Sequence, residues 1–82
     1  MRSVRRVLVA EISVEPFAEG RPGPHVTAAW EAARAVGLEV EHGPFGSAVT
    51  GDAEVVLATV DAMVRAAVAA GATSVAVQVR RA

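Results

Sequence analysis

Val7-Leu8-Val9-Ala10-Glu11-Ile12-Ser13-Val14 sets Leu8, Ala10, Ile12 and Val14 at period two, with Val7, Val9, Glu11 and Ser13 between them. Strict alternation over a β-branched stretch is the pattern of a strand with one buried face. Working downstream, residues 15–23 are dense in proline and glycine, and Pro16 has no N–H for a ladder, so the strand is predicted to end there. Pro24 suits a first helical turn and Gly37 a C-terminal cap, with Val26, Ala29, Trp30, Ala33 and Val36 at helical spacing between them. Leu38, Val40 and His42 then alternate with Glu39, Glu41 and Gly43, which predicts a second strand. Gly43-Pro44-Phe45-Gly46 turns the chain, and residues 47–51 form a third strand. Asp52 offers an N-cap oxygen to a helix over 53–70. That helix stacks Val56, Val60, Met63, Val64 and Ala67 on one side, opposite Glu54, Asp61 and Arg65. Gly71 stops it, and 73–80 alternate again as a final strand.

The order βαββαβ, under right-handed crossovers, folds most simply as an α+β ferredoxin-like plait: a four-stranded antiparallel sheet with both helices on one face. A chain of 82 residues has room for one domain, spanning 1–82. At that size a lone core is thin, and association is an expected supplement. No cysteine is present to staple it. With 52 % apolar residues the chain is globular, and a net charge of −1 lacks the basic footprint of a nucleic-acid binder. Arg2, Arg5 and Arg6 ahead of an apolar stretch faintly imitate a secretion signal, but Glu11 interrupts it. The longest uncharged run, 66–79, falls short of the roughly 18 residues of a membrane span. A cytoplasmic protein with no membrane partner is expected.

In the plait the sheet face away from the helices is uncovered. Here it would carry Val7, Val9, Glu11, Ser13, Glu39, Glu41, Ala76, Gln78 and Arg80, too apolar at the valines for a solvated surface and too polar for a second core. A partner subunit, a ligand, or both would resolve that mixture. Glu11, mid-strand, is either paired with Arg80 or Gln78 or another subunit, or accepts hydrogen bonds from a ligand. Ser13, Ser47 and Thr50 could bring hydroxyls to one pocket. Trp30 reads as core, whereas Phe17 and Phe45 lie in loops where they could cover a flat ring or a cation. His25 and His42 are isolated, no metal-ligand spacing or phosphate loop occurs, and no nucleophile stands at useful spacing from a base. Neither a metal, a cofactor nor catalysis is expected.

Three blocks carry a family resemblance. Ala10-Glu11-Ile12-Ser13-Val14-Glu15-Pro16 resembles the opening strand of the small single-domain thiamine-binding proteins, relatives of the bacterial thiamine and hydroxymethylpyrimidine binders. Gly43-Pro44-Phe45-Gly46-Ser47-Ala48-Val49-Thr50-Gly51-Asp52 is similar to their hairpin, and Ala70-Gly71-Ala72 with the Val-rich strand after it to their closing element. The resemblance implies a domain that pairs sheets into a homodimer or homotetramer and binds thiamine (vitamin B1) or a related pyrimidine without turning it over. Glu11 and Ser13 match its strand motif, and Phe45, Gly46 and Ser47 its hairpin. With Thr50 and Gln78 these make up the expected ligand-binding set. Thiamine joins a cationic thiazolium to a flat aminopyrimidine, so a carboxylate, hydroxyls and an aromatic wall suit it. The chain departs from the family at Thr50, Val64 and Arg65, where an acidic residue, a histidine and an acidic residue are common. The alternative is a structural or regulatory oligomerisation module with no small-molecule ligand.

Overall fold

The structure, a computed structural model, describes residues 6–16, 22–43 and 46–82. The order is β1 (Val7–Glu15), α1 (Pro24–Val36), β2 (Glu41–Gly43), β3 (Gly46–Asp52), α2 (Ala53–Ala69) and β4 (Ser74–Arg81). The strands form one antiparallel sheet in the order β2-β3-β1-β4, the α+β plait that the element order predicts. β1 is central, paired with β3 on one side and β4 on the other. Its period-two pattern therefore decides what both neighbours present to each face.

Ala10, Ile12 and Val14 of β1 are buried with Val49 of β3, Val26, Ala29 and Ala33 of α1, and Val56, Met63 and Ala67 of α2. Alanine at four of these positions lets the helices lie close to the sheet and to each other. Each buried valine or methionine contributes about 1.5–3 kcal/mol. α1 begins at Pro24, with the Gly23 carbonyl accepting from the Val26 and Thr27 amides. It ends where Gly37 turns left-handed at φ 103°, a conformation that avoids strain because glycine has no Cβ.

Four details differ from the sequence reading. Asp52 precedes α2 but its side chain caps nothing, because Asp52 still pairs with Val7 and the Ala53 amide donates to the Arg6 carbonyl at 2.9 Å. The Arg6 carbonyl, one residue ahead of β1, accepts from the first helical amide instead. β2 is three residues long, since Leu38 leaves the ladder to pack over Gly51, 3.3 Å from where a Cβ would stand. On α2 the buried positions are Val56, Thr59, Met63 and Ala67, while Val60 and Val64 are half-buried. Thr59 tolerates burial because its hydroxyl donates to the Val55 carbonyl one turn back at 2.6 Å. On β4, Val75 is half-buried but Val77 and Val79 remain 40 % and 41 % exposed, since this strand forms the sheet edge beyond the main helix cover.

Among the described residues no helix is long and apolar enough to cross a membrane. Phe17, Pro44 and Phe45 lie outside the described residues.

Candidate functional site

Strand register assembles the uncovered face. Glu41 pairs with Ala48, Ala48 with Glu11, and Glu11 with Gln78, so two carboxylates and an amide stand in one row across all four strands. In the adjacent row Gly43 pairs with Gly46 and Ser13 with Ala76. Gly46 lies against Ser13: a Cβ there would be 2.9 Å from the Ser13 Oγ. These two rows line a shallow cavity of about 460 Å³ with Glu11, Ser13, Glu41, Gly46 and Gln78 on its walls. Two glycines on one side leave it open.

The ion pair found among the described residues joins Arg65 and Asp61 at 3.1 Å on the exposed side of α2, where it contributes little. Glu11 therefore has no ion-pair partner within the described chain. Arg80, one candidate for that role, faces Val9 one row away. Among the described residues no three histidines or carboxylates cluster to hold a metal.

Of the expected set, Glu11, Ser13, Gly46, Ser47 and Gln78 border this cavity. Thr50 shares the face but pairs with Val9, a row beyond the cavity wall. The Ser47 side chain points to the opposite side, where its Oγ accepts a hydrogen bond from Trp30 Nε1 at 2.9 Å. Phe45 lies outside the described residues. The parity of β3 explains the split: Ser47 shares a face with buried Val49, and Thr50 is three residues on from Ser47 and so on the other face. Glu41 belongs to the row and was not in the expected set. Its alternation with His42 marked its face, and only the β2–β3 register shows which neighbours it has.

A second cavity, of about 390 Å³, lies between α1 and the sheet, over an apolar floor that includes Val26, Ala29 and Met63. Trp30 forms one wall, with the His42 ring 4.2 Å away, centroid to centroid, and tilted by 58°. Ser47→Ala removes the acceptor that fixes the indole. It is expected to cost about 1 kcal/mol, read in urea unfolding, and to change the tryptophan emission of the folded chain.

The sequence profile described as "Thiamine-binding protein" matches residues 10–81. Solved structures similar to the chain include a domain of unknown function, DUF77, from Bacillus cereus, at 25 % identity and TM-score 0.69, covering 95 % of this chain and 76 % of that one. A hypothetical protein from Methanocaldococcus jannascii shares the fold at 23 % identity and TM-score 0.67, covering 94 % and 79 %. A Thermotoga maritima protein provisionally assigned to thiamine biosynthesis or salvage aligns at 25 % identity and TM-score 0.64, covering 92 % and 81 %. A search of curated protein sequences gives no significant match.

Proposed function

Since the chain belongs to the thiamine-binding protein family, whose profile spans residues 10–81, we propose that it is a cytoplasmic, non-catalytic binder of thiamine or a related pyrimidine such as hydroxymethylpyrimidine. The observation that carries this reading is the row Glu41–Ala48–Glu11–Gln78 in the open-face cavity. Two carboxylates without an ion-pair partner among the described residues attract a cation such as a thiazolium, and Gln78 adds amide donors and an acceptor. Ser13 borders the same cavity. The provisional assignment of the Thermotoga maritima protein points the same way.

A homodimer or homotetramer completes the proposal. Val7, 37 % exposed, and half-buried Val9 lie on the same face as Glu11, and a second copy of the sheet would take them from water and lower the dielectric around the carboxylates. These valines equally favour a second reading, an oligomerisation module in which that face makes subunit contacts alone. Calorimetric titration separates the two. Thiamine is expected to bind the parent chain, and Glu11→Gln to bind about tenfold more weakly, as loss of a charge-assisted contact of about 1.5 kcal/mol implies. Heat equal to dilution for both thiamine and hydroxymethylpyrimidine would leave the module reading standing and the ligand reading refuted.

A further inference from the structure

β4 is the long free edge of the sheet. Its residues Ser74–Arg81 pair with β1 on one side, and among the described residues nothing pairs with the other. Sheet edges are usually blunted by proline, lysine or a bulge, and the unbroken β1–β4 register from Ser74 to Arg81 contains none of these. The Ala82 amide donates to the Val7 carbonyl at 3.0 Å, which continues that ladder. Because ladder bonds alternate sides, Ser74, Ala76, Gln78 and Arg80 turn their amides to β1, and Val75, Val77 and Val79 turn theirs outward. The side chains of these valines are on the helix side of the sheet, where Val77 and Val79 stay exposed. α2 leads from β3 to β4 with α1 packed along one flank, so its turn sets exposed Leu57 and Val68 on the other flank, beside those valines.

We propose that this edge docks a second copy of the chain, β4 pairing antiparallel with β4 about a two-fold axis at Val77 so that two sheets become one. Val77 then lies opposite itself and Val75 opposite Val79, so each outward amide meets an outward amide and each exposed valine is covered by another. Parallel pairing would set Arg80 and Arg81 beside their own copies, like charge against like. The antiparallel register does the reverse. It brings Arg80 of the second copy opposite Ser74, in one row with Glu15, which pairs with Ser74 on the other side. The small serine is all that separates the two charges, roughly 10 Å apart at the backbone and within reach of two long side chains. Neither has an ion-pair partner among the described residues. Symmetry makes the contact twice. Stacking across the open face and joining at this edge use different surfaces, and together they give a homotetramer.

The chain has no cysteine, so single cysteines report the register. Val77→Cys is expected to cross-link into a covalent dimer under mild oxidation, since residues paired across a ladder stand about 5.5 Å apart at Cα, within disulfide range. Val79→Cys, equally exposed, is expected to give less than about a tenth of that yield, because its counterpart is roughly 13 Å away. In the Val77→Cys chain, Arg80→Glu is expected to lower the yield about tenfold at a fixed low concentration, and adding Glu15→Arg to restore it. Within one chain Glu15 pairs with Ser74, which is roughly 20 Å along β4 from Arg80, so the restoration has to come from the second copy. Equal cross-linking of the two cysteine variants, none with either, or a double reversal as weak as Arg80→Glu alone would overturn the edge pairing. Val77 is on the helix side, so a chain that associates through its open face alone gives no Val77→Cys cross-link, and failure here leaves the ligand reading to its own titration.

Discussion

Gly46→Val is expected to melt about 4–24 °C below the parent chain. A Cβ at this position would stand 2.6 Å from the Ile12 carbonyl oxygen, 3.3 Å from the Ile12 carbonyl carbon and 2.9 Å from the Ser13 Oγ. The Ile12 carbonyl is backbone and cannot turn aside. Ile12 sits in β1, paired with Ser47 on one side and Val77 on the other, so moving its backbone disturbs two ladders. Overpacking of this kind costs about 1–3 kcal/mol, and each kcal/mol moves the midpoint of a domain this small by about 4–8 °C. Gly43, its partner in the hairpin, is the control. Among the described residues the nearest atom to a Cβ there is the Gly46 carbonyl oxygen at 3.6 Å, an ordinary contact, so Gly43→Val is expected to shift the melt by only a few degrees. Circular dichroism melts of the two variants test the argument, and equal shifts would refute it.

Met63→Ala should lower stability by about 3 kcal/mol, seen as a fall in the urea midpoint at unchanged m-value. Met63 is 1 % exposed and is among the largest fully buried side chains of the described residues. Its contribution is packing between α2 and the rest of the core, with no polar bond to lose. The residue also lines the cavity under Trp30, so the truncation enlarges that space. A loss below about 1 kcal/mol would mean that the helices close over the void, which the small residues around it, Ala29 among them, give little means of doing.

Much of this architecture was legible in the sequence because it depends on period. Leu8, Ala10, Ile12 and Val14 sort onto one face by alternation alone, and Pro24 and Gly37 bracket α1 by backbone rules that apply to any chain. What was not legible depends on register and on competition between neighbours. Glu11 is a recognisable oddity in a strand, but that Glu41 stands two places along its row follows from pairings that no local pattern encodes. Asp52 has the right chemistry for a cap and does not act as one: it still pairs with Val7 in the ladder, and the carbonyl of Arg6, just ahead of β1, meets the same helix end. Thr59 is buried where the sequence reading named Val60, because its hydroxyl is satisfied within the helix. Ser47 is the case in which the information was present and unused: counting faces along β3 separates it from Thr50 without any structure.

The central position of β1 has a consequence for how the molecule comes into being. Strand β1 is synthesised early, but the partner on one flank, β4, is far downstream: the Thr73 hydroxyl that meets the Glu15 carbonyl is 58 residues away in sequence. On a growing chain β1 can pair with β3 while its other edge waits, presenting valine side chains and unmatched amides to whatever is nearby. Closing that long loop carries an entropy cost that the local hairpin β2–β3 does not, so β4 is expected to dock late, and a chain truncated before β4 is expected to aggregate more readily than the full chain.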